Sequence, residues 1–329
     1  MKKLQTKKLL LGLLITLLAI CCCACATGGN GEVSDDGQTG NAVQQDKPIS
    51  VATIAETEGT SIGQLMVQAL IANGYQVDDR TGTAANINVM REAVINGEVD
   101  MIFDYDGDAY WYLDDDQQNP SLDDFRQPEV GWQLINEYDQ EHNGIVWLPP
   151  SQANNTFAIA TTKAIAEETG IEDLHDFADY VNNGGEVKLI TPDYWLNDDS
   201  NLPAIEKNYG FTIDRDTQCI VVDGLNEKMV AEGVDGANFC LVFACQGSMN
   251  ALDMVVIKDP LNAELRYCFC PVISQQTLEK YPEIETILTP IFEGLTDEDV
   301  RDLNEKIQVQ GLPGDQVAIE YLQDKGFID

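Results

Sequence analysis

From residue 48 onward, short β-branched runs alternate with segments whose apolar residues recur at helical spacing. Residues 49–54 form a β-rich run. Ile62, Leu65, Met66, Ala69 and Leu70 then make an i, i+3, i+4, i+7, i+8 stripe, the mark of an amphipathic helix over 62–73. A strand opens at Val77, a helix covers 87–96, and a strand covers 99–105. This β-α-β-α-β order predicts a mostly parallel sheet covered by helices. The pattern restarts with a strand at 156–161, a helix at 174–182, a strand at 187–191 and a helix at 203–209. A strand at 218–222, a helix at 226–232 and a strand at 239–244 complete the second set. Beyond Leu252 come apolar strands at 254–257 and 265–273, then three helical segments to the C-terminus. The fold class is therefore α/β, with two lobes, a chain that crosses between them twice, and a ligand crevice outside the carboxyl ends of the strands.

The stretch 59–63, Gly-Thr-Ser-Ile-Gly, matches the G-x-S-x-G signature of serine hydrolases. A nucleophile elbow needs its serine on a sharp turn directly between strand and helix, whereas here the strand ends near Ala55. Ser61 precedes the apolar stripe and Gln64 follows three residues later, an S-x-x-Q capping box, with Gly74 closing the helix. The two histidines, His142 and His175, carry no local triad signature. Ser61 is expected to be a cap and the chain not an enzyme. A helix start presents free N–H groups, so the loop 56–61 is expected to face the crevice with Glu58, Thr60 and Ser61.

The first residues follow a different pattern. Lys2, Lys3, Lys7 and Lys8 flank an apolar run, 9–20, that meets Cys21, Cys22, Cys23 and Cys25. That arrangement predicts a secretory signal over 1–25, too short in its apolar part to span a bilayer comfortably. A Cys after such a run resembles the lipobox of bacterial lipoproteins. Cys25, after Ala24, is the expected lipidation site, with Cys21 the alternative. Residues 26–47 are rich in Gly, Asn, Gln, Ser, Thr and Asp and predict a flexible tether. The expected layout is a first lobe over 48–152 and 253–329, a second lobe over 153–252, and an extracytoplasmic body held to the membrane by lipid.

Charge narrows the partners. The chain has 19 basic against 56 acidic residues and a formal net charge of -37. Such a surface disfavours nucleic acid and anionic lipid and is compatible with a cationic ligand. The body cysteines, Cys219, Cys240, Cys245, Cys268 and Cys270, contain no C-x-x-C spacing. With two histidines in the chain, neither a zinc site nor any other metal or cofactor is expected.

Four blocks carry a resemblance: "NGEVDMIFDYDGDA" (96–109), "NGIVWLPPSQANNTFAIA" (143–160), "NLPAIEKNYGF" (201–211), and "TLEKYPEIETIL" with "LTDEDVRDLNEKIQVQG" (277–311). Their order and spacing over 48–329 are similar to those of the substrate-binding proteins of glycine betaine/carnitine/choline ABC transporters. The resemblance implies a two-lobed fold of the periplasmic-binding-protein type (type II), closing over a quaternary ammonium held in an aromatic cage. It also implies a permease and an ATPase as partners and a monomeric binding protein. Carried over by position, the cage is Tyr105, Phe157, Tyr194 or Trp195, and Phe243. Where the family's turn reads acidic-Tyr-Thr-Gly-Thr, this chain reads Asp104-Tyr105-Asp106-Gly107-Asp108. Asp104 and Asp106 thus join the candidate site. The first loop also lacks the family's Lys and aromatic. Lost donors favour a choline-like cation without a carboxylate over glycine betaine or carnitine. A body diverged to another amine or to a sensory role is the alternative, and a hydrolase using Ser61 a more distant one.

Overall fold

The computed structural model describes residues 43–127, 129–222, 224 and 226–329; the expected signal, Cys21, Cys25 and most of the tether lie outside them. Strand β1 (Ile49–Ile54) is buried along its whole length, because helices cover both faces of its sheet. It leads through two residues into α1 (Thr57–Ala72), then β2 (Val77–Ala84), α2 (Ile87–Ile95), β3 (Met101–Tyr105) and α3 (Asp108–Asp115). A short 3-10 turn, α4 (Val130–His142) and β4 (Ile145–Trp147) complete the first passage. The polar sequence of β2 suits its place at the sheet edge, beside β1.

The second lobe begins with β5 (Phe157–Thr162), α5 (Lys163–Thr169), α6 (Leu174–Asn182) and β6 (Leu189–Thr191). It continues through α7 (Asp193–Asn197), α8 (Leu202–Tyr209), β7 (Cys219–Val221), α9 (Asn226–Ala231) and β8 (Phe239–Phe243). Then come α10 (Ser248–Ala251) and β9 (Met254–Val256). The chain returns to the first lobe as β10 (Phe269–Ser274), followed by α11 (Gln275–Lys280), α12 (Glu283–Glu293), α13 (Asp297–Gln308) and α14 (Gly314–Asp324). Four helices, not three, close the chain: Pro282 starts a new helix directly after α11.

The two five-stranded sheets have the orders β2-β1-β3-β10-β4 and β7-β6-β8-β5-β9. Each is mixed. In the first, β10 runs antiparallel to β3 with Phe269 opposite Tyr105; in the second, β5 runs antiparallel to β8 with Phe157 opposite Phe243. The connectivity requires this. A strand arriving from the other lobe starts at the crossing edge of its sheet, where the parallel strands end, and must run the opposite way. The second sheet also extends past the expected break at 252, since β9 pairs with β5.

The two crossings lie side by side. Asn154 bridges Cys268, Asn155 N–H donates to the Tyr267 carbonyl (3.0 Å), and Thr156 Oγ1 donates to the Leu265 carbonyl (2.6 Å). One core fills the first lobe, with α1 packed against α13 and α14, and two smaller cores line the faces of the second sheet. In the first core Arg91 and Asp139 form a bidentate pair (2.8 and 2.7 Å), and Asp139, 0% exposed, also accepts from Trp147 Nε1 at 2.7 Å. Removing one partner leaves the other charge buried and uncompensated. Asp139→Ala is therefore expected to cost about 3–5 kcal/mol, read as a lower urea midpoint; a midpoint shift near zero would contradict this.

Candidate functional site

The ends of the parallel strands face one another across a cleft, and the side chains there come from both lobes. Tyr105 is the last residue of β3, Glu58 sits in the first turn of α1, and Asp108 starts α3. The returning crossing adds Tyr267. It lies against the β3–α3 turn because Gly107 has no side chain: a Cβ there would fall 2.0 Å from the Arg266 carbonyl oxygen. The Tyr105 and Tyr267 ring centroids are 6.3 Å apart. From the second lobe come Phe157 and Phe243, opposite each other in register with centroids 5.0 Å apart, and Tyr194 of α7, 6.2 Å from Phe157. Phe243 is 48% and Tyr194 52% exposed, large apolar rings left open toward the cleft.

The cleft has two adjoining chambers. One, about 440 Å³, is lined by Thr57, Tyr194, Asn226, Glu227, Gln246, Asn304 and Gln308 among others. The other, about 360 Å³, is lined by Ile54, Asn86, Tyr105, Asp108, Asn155 and Tyr267. Glu56, Glu58, Phe157 and Phe243 line both. No lysine, arginine or histidine is among the described residues lining either chamber. Among the described residues, no group of three or more His, Cys, Asp or Glu side chains could hold a metal ion.

Beneath the chambers a hydrogen-bond chain joins the lobes. Tyr105 OH donates to Glu58 Oε1 (2.6 Å), and Asn155 Nδ2 donates to Glu58 Oε2 (2.9 Å). Cys245 N–H donates to Asn155 Oδ1 (3.0 Å), Asn304 Nδ2 donates to the Cys245 carbonyl (2.9 Å), and Ser61 Oγ donates to Asn304 Oδ1 (2.6 Å). Burial raises the Glu58 carboxyl above its ordinary range against these bonds, and pushes the Tyr105 phenol well up.

The structure separates the sequence candidates. Tyr105, Phe157, Tyr194, Phe243 and Glu58 line the cleft. Trp195 does not. One residue along a helix turns the side chain ~100°, which places Trp195 in the second-lobe core, 0% exposed, with Nε1 donating to Glu264 (2.9 Å). Ser61 is not a cap: α1 starts at Thr57 after Glu56, so Ser61 falls inside the helix, 1% exposed. Gln64 reaches Asp79 and Thr81 of β2 instead of the helix start. Thr60 packs against the start of α14, its Cγ2 2.4 Å from where a Gly314 Cβ would stand. Asp104, within β3, is 0% exposed and outside the cavity lining, accepting from Tyr105 N–H (2.7 Å) and Tyr112 OH (3.2 Å). Asp106 turns to the crossing and accepts from Cys268 N–H at 2.6 Å. Asp108 is the carboxylate of that turn that reaches the cavity. Tyr267, inside what reads as an apolar strand, and Glu227, inside an ordinary helix, gave no local signal.

The chain belongs to the family described as the substrate-binding domain of ABC-type glycine betaine transport systems, matching it over residues 47–324. It is 29% identical over 290 residues to the glycine betaine-binding protein YehZ of Escherichia coli K12, covering 87% of this chain and 93% of that protein. The ligand-free YehZ structure superposes with a TM-score of 0.78 at 29% identity, over 85% of this chain and 99% of that one. A glycine-betaine-binding protein of Pseudomonas aeruginosa is 23% identical over 322 residues, 95% of this chain and 96% of that protein. The chain is thus a two-lobed solute-binding protein of an ABC transporter, of an extracytoplasmic family, and not an enzyme. No helix among the described residues is long and apolar enough to cross a membrane.

Burial, then the charge of Asp106, raises Asp108 to about 7, above the unfolded value of about 4. Between those values the folded state binds more protons than the unfolded, so this group's contribution to stability falls as pH rises through the window. Asp108→Asn is expected to raise the melting temperature near pH 8, with the gain fading toward about pH 5. Melting curves at both pH values check this, and an equal gain at each would contradict it.

Proposed function

We propose that this protein captures a quaternary ammonium compound without a carboxylate, choline-like in its chemistry, and delivers it to an ABC permease and its ATPase. The observation that carries the reading is a cleft whose described lining has aromatic rings and carboxylates and no basic side chain. A trimethylammonium group has no N–H to donate, so ring faces and nearby carboxylates must hold it. Each well-placed ring contributes ~0.5–2 kcal/mol. The cation sits against the Phe157–Phe243 pair, with Tyr105 as the third ring and Asp108 as counter-charge, and Tyr194 stands on the other side of that pair. Delivery then needs only a ligand that binds the closed form better than the open one.

A carboxylate on the ligand would meet the Glu56 and Glu58 side chains at the start of α1 and be repelled by them. Glycine betaine itself is the second reading, favoured by the names of the two relatives. The monomeric state and the lipid anchor, on Cys25 with Cys21 as the alternative, belong to the same proposal and rest on the sequence pattern.

Isothermal titration of choline and glycine betaine tests the reading. Choline is expected to bind more tightly than glycine betaine, and its affinity to rise with pH as Asp108 ionises. Tyr105→Ala is expected to weaken choline roughly two- to thirtyfold. Tighter glycine betaine would overturn the preference for a carboxylate-free cation. A Tyr105→Ala variant that binds choline unchanged would overturn the cage.

A further inference from the structure

We infer that the cleft is built for an elongated organic dication, one cationic group in each chamber, rather than for a compact monocation; this deepens, and rests on, the quaternary-ammonium reading of the same site. The two chambers are contiguous, and the ring pair Phe157–Phe243 is the wall they share. Beyond that wall each chamber has its own means of attracting a cation. On one side stand Tyr105 and Tyr267 with Asp108. On the other stands Tyr194 with Glu227. A head the size of trimethylammonium occupies one chamber and leaves the other to water.

Charge balance points the same way. Among the described residues Asp108 has no hydrogen-bond or ion-pair partner, and the charge closest in effect, Asp106, repels it. Glu227 is buried and accepts from Gln246 Nε2 (2.9 Å) and Ser248 Oγ (2.8 Å), both neutral and both on Oε1. Asp104, by contrast, lies near the Arg91 cation, and Asp106 lies 4.0 Å from Arg266 Nε. Carboxylates shut away from water need a counter-charge or a proton. The described chamber walls provide no basic group, so a cationic ligand supplies the counter-charge in place of the proton that Asp108 otherwise holds. One onium group compensates one end; two compensate both.

The test is isothermal titration of the full-length chain with α,ω-bis(trimethylammonium) alkanes from butane to decane, alongside choline. Affinity is expected to peak at one chain length, with that compound binding more than about tenfold tighter than choline. Glu227→Gln should cut the preference for the diammonium over choline about tenfold, while Asp108→Asn should weaken both. Choline binding as tightly as every diammonium would sink the dication and leave the quaternary-ammonium reading standing. So would diammonium affinity that rises smoothly with length, as added apolar area alone predicts. If neither choline nor any diammonium binds, the underlying reading falls and the dication with it. The chain-length series needs no variant, so a misfolded Glu227→Gln protein would not rescue the inference.

Discussion

The geometry of the cleft depends on where the Glu58 carboxylate is held. One oxygen accepts from the Tyr105 phenol and the other from the Asn155 amide, which fixes the start of α1, the end of β3 and the first crossing relative to one another. Asn155 passes the link to Cys245, the residue where the second lobe inserts into the core of the first. Buried hydrogen bonds to a charged group are stronger than neutral ones, and an unmade one is costly. Loss of Glu58 would therefore free the aromatic wall as well as remove a charge. Ser61 serves the same junction through Asn304.

Topology places the rings. Because the chain crosses between lobes twice, β5 and β10 each begin at the cleft edge of their sheets. There they run antiparallel to strands that end in an aromatic residue, which brings Phe157 beside Phe243 and Phe269 beside Tyr105. The returning crossing then lays Tyr267 over the turn at Gly107. Side chains far apart in sequence so form one aromatic surface, contributed by both lobes.

Electrostatics sets what that surface can hold. Asp104, Asp106, Asp108, Glu58 and Glu264 are all raised above their ordinary range by burial. Most are compensated locally: Asp104 and Asp106 by an arginine or backbone N–H groups, Glu58 by Tyr105 and Asn155, and Glu264 by the Trp195 indole. Asp108 is left for the cavity. Where the described lining has no basic group, a carboxylate facing the cavity attracts cations and repels other carboxylates.

Periodicity and motif order were enough to determine the α/β class, the two crossings, every strand but β4, and the family, while helices α3, α4, α5, α7 and α10 went unread. Those features rest on local patterns of apolar residues and on blocks of sequence in fixed order. The sequence also pointed to Tyr105, Phe157, Tyr194, Phe243 and Glu58, all of which line the cleft. It could not choose between Tyr194 and Trp195, since neighbours on a helix point to different sides and only packing says which side is core. The capping pattern at Ser61 was misleading because α1 begins four residues earlier, where packing against β1 and the crossing fixes its first turn. Neither the roles of Tyr267 and Glu227 nor the division of labour among Asp104, Asp106 and Asp108 could be read locally. Each depends on which side chains from distant segments lie within hydrogen-bonding or Coulombic reach, and that proximity exists only in the folded chain.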